Sequence, residues 1–371
     1  MDRRRFLRAS AGFGATAVAG LAGCLSRDEG DDGVTEGNPD DPDYEGTLTV
    51  ATYNSMIDTD DSAGPAIKDA FEEEYPDAEL EWATPEDRVN HYIQQADRGD
   101  STDADVYFGL NVDDLAQIDD ELGGGGLFRE LDEDRIERAD RIRDGLDMGD
   151  PHERVLAYDT GYIAIVYDEN EVDEPESFDD LTESAYEDSL LAQDASTSDT
   201  GEAFLLWTID AYGEDGYLEY WRDLEDNGVR ILGDWTDAYT AYENEDRPMV
   251  VSYSTDQVFT NMEDGDMSRS QIAFPDGQGY ANPEGMGIFK QAESVDLAYA
   301  FLDFVLSGEM QAELAVKNVQ FPAVSEEYVD LPEDFDQYAH EPPEAVTVGY
   351  DDLRGNVGDW IDDWGREFAT H

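Results

Sequence analysis

The sequence predicts an α/β protein of two regions, the second inserted in the first. Three observations point there. From Thr47 onward, short apolar strands alternate with helical segments in a βαβαβ order, which implies a parallel sheet covered by helices. A second alternating series follows between about residues 201 and 253. Near residues 272–274 an apolar run brings the chain back toward the first region.

Residues 48–53, Leu-Thr-Val-Ala-Thr-Tyr, read as a buried strand. Gly64-Pro65 opens a helix that runs to Tyr75, with the proline suited to a first turn. Residues 78–82 form a second strand, and Pro85-Glu86-Asp87 starts a helix that ends near Asp97. A third strand, 105–110, ends in Gly109-Leu110-Asn111. The glycines at 123–126 make a turn, and 155–158 and 162–167 read as two strands joined through Asp159-Thr160-Gly161. In the second region helices are expected at 201–212, 216–226 and 235–244, with strands at 229–232 and 249–253. Helices follow at 295–306 and 309–317, and 351–368 makes a terminal helix. Ligands of such sheets bind beyond the carboxyl ends of strands. That directs attention to Tyr53, Asn111 and Tyr253, each at or just past an expected strand end.

The front of the chain has a different character. Arg3, Arg4 and Arg5 precede Phe6-Leu7 and a weakly apolar run that closes on Leu21-Ala22-Gly23-Cys24. A basic start, a short apolar stretch and small residues before a cut site make a targeting peptide, here residues 1–23. The run is too short to span a bilayer. Paired arginines before Phe-Leu look like a twin-arginine signal, an address carried by proteins exported already folded. Leu-Ala-Gly-Cys resembles a lipobox, which would lipidate Cys24 and hold the protein on the extracellular face of the cell membrane. Cys24 is the only cysteine, so no disulfide can form and the core must hold the fold. Residues 24–45 are rich in Asp, Glu, Gly and Pro and read as a disordered acidic tether.

The formal net charge is -71, from 93 acidic and 22 basic residues, with lysine only at 68, 290 and 317. Disorder is an insufficient reason, because 40% hydrophobic and 11% aromatic residues suffice for a core. The acids are spread over nearly every segment, which favours adaptation to very high salt over a polycation partner: carboxylates keep a protein hydrated there while salt mutes self-repulsion. No basic patch exists to neutralise phosphates, which disfavours nucleic-acid binding. A catalytic apparatus is equally hard to find. His91, His152, His340 and His371 show no metal-ligand spacing. There is no Gly-x-Ser-x-Gly elbow and no Walker-type loop. Carboxylate pairs are too common to be informative, so an exported hydrolase stays open as an alternative. No enzyme activity, metal or cofactor is expected.

Several segments together resemble one family. They are Thr49-Val50-Ala51-Thr52-Tyr53-Asn54-Ser55, Gly64-Pro65, Ala104-Asp105-Val106 with Gly109-Leu110, Tyr158-Asp159-Thr160-Gly161-Tyr162, and Thr197-Ser198 with Gly201. Further matches are Trp235-Thr236-Asp237-Ala238-Tyr239, Val251-Ser252-Tyr253-Ser254-Thr255 and Trp360-Ile361-Asp362-Asp363-Trp364. In order and spacing these resemble the thiamine-binding solute receptors of ABC importers, over residues 47–364. The resemblance implies a two-lobed type II fold of the periplasmic-binding-protein class, with a hinge and a ligand cleft between the lobes. Lobe 1 would be 46–158 with part of 274–371, and lobe 2 would be 159–273. Residues 274–371 would supply the return segment and C-terminal helices, with crossings at 159–161 and near Phe274. Expected partners are thiamine and the permease subunits, for a receptor that is itself a monomer.

The same resemblance puts the family's pocket on Tyr53, Asp87, Ser198, Trp235, Tyr253 and Phe259, with Asn111 and Thr197 beside it. The chemistry suits thiamine. Its thiazolium is a permanent cation that Trp235 and Tyr253 can stack on, a contact worth about 0.5–2 kcal/mol. Asp87 can neutralise that charge or accept from the pyrimidine amine. Thr197 and Ser198 precede a helix, where hydroxyls and amides suit a hydroxyl or a phosphate. Structural roles compete at each position: Trp235 can pack its own helix, Tyr53 and Phe259 can be core, and Asp87 can serve a helix N-terminus. The sequence also departs from the family at Phe259, which lacks a hydroxyl, at Asn111, which lacks a charge, and at Val319, where the family has Trp. Asp199 follows Ser198, and a carboxylate there would repel a phosphate ester, so free thiamine is expected to bind better than its phosphates. Other ligands in the same class stay open: a polyamine, iron, or a thiamine precursor.

Overall fold

Leu48 and Val50 of β1 (Gly46–Ala51) are fully buried, and this strand starts a parallel set with β2 (Ala78–Ala83) and β3 (Val106–Leu110) in the order β2-β1-β3. The computed structural model describes Pro42 and residues 44–369, apart from 59–61, 124–125, 144 and 263. The twin-arginine signal, Cys24 and the tether up to residue 41 lie outside the described residues. Helices α1 (Ala63–Glu74), α2 (Arg88–Arg98) and α3 (Val112–Leu122) cover this first set. Phe71, Phe108 and Phe301 meet edge-on in its core.

A second parallel set contains β5 (Leu190–Gln193), β6 (Arg230–Leu232) and β7 (Met249–Tyr253), with β5 between the other two. Its helices are α4 (Asp199–Tyr212), α5 (Tyr217–Asp226), α6 (Trp235–Glu243) and α7 (Asp256–Met262). Two long strands join the sets: β4 (Val155–Tyr167) and, after the short β8 (Gln271–Ala273), β9 (Gln278–Ile288). They run antiparallel to each other, β9 also pairs with β3, and β4 also pairs with β7, giving the order β2-β1-β3-β9-β4-β7-β5-β6. Two lobes thus share one continuous sheet, bridged at its middle by β4 and β9. The C-terminal elements are α8 (Val295–Val305), α9 (Gly308–Lys317), β10 (Phe321–Pro322), α10 (Phe335–Tyr338), β11 (Glu344–Val346), α11 (Tyr350–Leu353) and α12 (Val357–Phe368). The last of these reaches the second set, where Trp364 lies 5.2 Å edge-on from Trp221. No helix among the described residues is long and apolar enough to cross a membrane.

Several expectations change. Residues 155–167 are one strand and not two: pairing with β9 and β7 carries the chain straight through Asp159-Thr160-Gly161, and only a register shift between Ala157 and Asp159 marks the place. The chain returns beside β4 through both β8 and β9, which flank Phe274. The terminal helix is broken: Gly355 has φ 79°, and α11 ends before α12 starts. The first strand ends at Ala51, so Tyr53 stands two residues beyond it at the start of a short 3-10 turn.

Candidate ligand-binding site

The middle of the sheet carries an unusual amount of buried polarity. Asp159 and Glu284 sit directly opposite each other on β4 and β9, and both are buried. The Tyr53 hydroxyl donates to Glu284 Oε2 at 2.9 Å, and the Tyr158 hydroxyl donates to the same oxygen. The Asn318 amide donates to the Tyr53 hydroxyl and to Asp159 Oδ2, each at 3.0 Å. Asp159 Oδ1 has no hydrogen-bond partner among the described residues. Burial pushes the Glu284 carboxyl up to about 7, against the hydrogen bonds from Tyr158 and Tyr53. Burial, and then the charge of Glu284, raise Asp159 well above the usual carboxylate range. Two buried carboxylates, with no salt-bridged cation among the described residues, thus face each other at the middle of the sheet, where it bridges the lobes.

Glycines let the aromatic rings reach this pair. Gly109 has φ 113°, and a Cβ there would lie 2.7 Å from the Tyr53 ring. At Gly161 a Cβ would lie 2.5 Å from the Tyr253 ring and would collide with Gln320 Oε1. Tyr253 ends β7, bonds Thr200, and accepts from the Asn282 amide at 3.4 Å. The Asn111 amide in turn donates to Asn282 Oδ1 at 3.2 Å and to the Pro283 carbonyl at 3.1 Å. Asn111 is also the N-cap of α3, in a capping box with Asp114. Its side chain is buried and fully engaged, so it holds the middle of the sheet together.

The second lobe supplies an aromatic wall. Trp235 opens α6 behind the N-cap Asp234, stacks on Tyr239 at 4.8 Å, and donates from Nε1 to Ser252 Oγ at 3.0 Å. Phe259 lies edge-on to Tyr239 at 6.3 Å. One face of Trp235 is therefore covered by Tyr239. Ser198 caps α4, accepting from the Gly201 amide at 3.3 Å, and is buried. Thr197 is exposed and donates to the Gly233 carbonyl at 2.8 Å, which ties the α4 lead-in to the loop before Trp235.

Asp87 stands at the N-cap of α2, exposed and without a capping bond. Its neighbour Arg88 enters the cleft instead. The Arg88 guanidinium pairs with Asp199, with Asp114 at 3.4 Å and with Glu202 at 3.8 Å. Asp199 is therefore a paired carboxylate. Burial raises Asp199, Glu202, Asp113 and Asp114 against the pull of Arg88, and Asp114 reaches about 7. A line of contacts runs from Arg88 through Asp199 to Thr200, Tyr253, Asn282 and Asn111, with Tyr53 and Glu284 beside it. Val319, expected near the wall, packs with Val258, Phe321 and Phe335, and its carbonyl accepts from Thr255 at 2.6 Å.

The sequence reading missed Arg88, Tyr158, Glu284 and Tyr239 as members of this site. Asp159 was seen only as a crossing. Glu284 stands in Asn-Pro-Glu-Gly, which carries no periodic signal, and Arg88 was masked by the acid before it.

Comparison with known proteins agrees with this architecture. The family model for bacterial extracellular solute-binding proteins matches residues 120–356. The thiamine-binding periplasmic protein of Escherichia coli (strain K12) is 28% identical over 320 residues, covering 86% of this chain and 92% of that relative. Its counterpart in Brucella suis biovar 1 (strain 1330) is 26% identical over 321 residues, covering 86% and 91%. Among solved structures, a periplasmic thiamin binding protein superposes with a TM-score of 0.73 at 26% identity, covering 86% of this chain and 95% of that one. A ferric binding protein from Campylobacter jejuni, 18% identical with a TM-score of 0.69 over 86% and 98%, shares the fold. The two lobes on a bridged sheet are those of the type II periplasmic binding proteins, and the chain belongs to the family of bacterial extracellular solute-binding proteins.

Proposed function

We propose that this chain captures thiamine in the cleft between its lobes and hands it to the permease of an ABC importer, while a lipid on Cys24 holds it at the extracellular face of the membrane after twin-arginine export. The observation that carries the ligand is the buried pair of Asp159 and Glu284, with an oxygen unpartnered among the described residues, under the rings of Tyr53 and Tyr253. A flat, permanently cationic heterocycle satisfies both features. It brings the missing positive charge without a proton to lose, and an aromatic face for the tyrosines and Trp235. The names of the relatives support the same ligand. Asp87, Thr197, Ser198 and Phe259 complete the proposed pocket from its rim, and Asn111 positions it. Binding needs no chemistry from these residues; affinity comes from closing the cleft on the ligand, with 46–158 plus part of 274–371 as one moving body and 159–273 as the other.

Asp199 and Glu202 with Asp113 and Asp114 outnumber Arg88 at the rim, so a phosphate ester meets a net negative entrance. Free thiamine is therefore the preferred form. Isothermal calorimetry in molar salt tests this with thiamine, thiamine phosphate and spermidine. Thiamine should bind at least tenfold more tightly than either competitor. Tighter binding of the phosphate overturns the preference, and binding of spermidine alone overturns the ligand.

A further inference from the structure

Arg88 is the second residue of the site that its local geometry singles out. It begins α2 with φ 50°, a left-handed conformation that favours glycine, and a long side chain there is held at some cost. The cost is offset by where the side chain goes. Its guanidinium is anchored by Asp114 on α3, next to its own helix, and reaches Asp199 and Glu202 in the first turn of α4. α2 and α3 cover the first parallel set, and α4 packs on β5 and β7 of the second. At the same level the buried carboxyls of Asp113 on α3 and Glu202 on α4 are neighbours, and burial followed by the charge of Asp113 raises Glu202. Most ion pairs of the chain join neighbouring segments of one lobe; this cluster joins helices of both.

We propose that Arg88 is a closure latch: its guanidinium ties α2 and α3 of one lobe to the first turn of α4 of the other, and so sets how long the cleft stays shut. Opening would strip the guanidinium from Asp199 and Glu202 and leave those carboxylates to be rehydrated singly. The pairs are largely buried, so molar salt screens them far less than it screens the exposed acids. Arg88 is thus a positioning residue for capture, acting on lobe closure rather than touching the ligand. The inference rests on the two-lobed cleft and not on the identity of the ligand.

The test uses ligand-free protein. Spin labels at Glu73→Cys on α1 and Glu225→Cys on α5, in a Cys24→Ser background, report the distance between lobes by pulsed electron resonance in molar KCl. Both positions are exposed. The parent should show a short-distance population beside a longer one. Arg88→Gln should deplete the short-distance population, Asp199→Asn should do the same, and the double variant should deplete it no further than either alone, because the two residues form one contact. Arg88→Lys should restore most of the short distance. In whichever ligand the parent binds, Arg88→Gln should release it about tenfold faster. An Arg88→Gln distance distribution that matches the parent overturns the latch, whether or not thermal stability falls, since a merely structural ion pair would lower stability without moving the lobes.

Discussion

Glu284 shows at the scale of one residue how burial shapes this site. Its carboxyl has an ordinary value of 4.5 and rises to about 7 in the fold, chiefly through burial. The folded chain therefore holds a proton that the unfolded chain has released, over the window from about 4.5 to about 7. For an acid with a raised value the sign is unfavourable with rising pH: stability falls across that window and is flat above it. Asp114 and Asp256, each also raised to about 7, add to the same decline. Urea unfolding at a series of pH values should show the fall, and Glu284→Gln should gain on the parent steadily from pH 4.5 to 7. A constant difference between the two would show that Glu284 titrates normally. A bound cation reverses the benefit of the proton, so thiamine affinity should rise over the same window with release of protons to the buffer. Of the residues named from sequence, Tyr53 and Tyr253 stand at or just past strand ends, which the sequence does show, and the structure brings them together beside Glu284. Arg88 and Glu284 were not, because a charge in a chain this acidic gives no hint of whether it faces water or the floor of a cleft.

The elements that bridge the lobes tell the same story at the next scale. β9 reads Gln-Gly-Tyr-Ala-Asn-Pro-Glu-Gly-Met-Gly-Ile, with glycines and a proline that argue for a turn. Yet it is a central strand. Pro283 is tolerated because β3 pairs only with residues 285–288 and β11 only with 278–280, so on that side nothing asks Pro283 for an N–H. Tertiary pairing overrides local preference there, as it does through Gly161 in β4. α3 and α7 escaped notice because each follows directly on a strand end, where acids and polar residues interrupt the apolar stripe. α6 and α9 were legible to within a residue, because Asp234 and Ser307 cap their first turns. Gly161 makes a sharp test of the bridge. Gly161→Ala should push the Tyr253 ring and Gln320 out of place, at an overpacking cost of about 1–3 kcal/mol. Denaturation should report that loss, and calorimetry should show ligand affinity down by more than tenfold; retained affinity would mean that Tyr253 does not depend on this close approach.

For the whole molecule the governing quantity is the net charge of -71. At about 0.1 M salt the Debye length is ~10 Å and neighbouring surface acids repel; at about 1 M it is ~3 Å and they scarcely interact. The thermal midpoint followed by circular dichroism should therefore rise from 0.1 to 2 M KCl. A flat or falling midpoint would mean that the acids serve another purpose. The order of the sheet has a kinetic consequence as well. β9 lies between β3 and β4 in space but follows both by more than a hundred residues in the chain. Until residue 288 has been synthesised, β3 has one open edge, β4 lacks its principal neighbour, and the two lobes have no common sheet. Assembly must then close the longest loops of the protein last, which makes folding slow and leaves sticky strand edges waiting. Such a chain gains from being finished in a sheltered compartment.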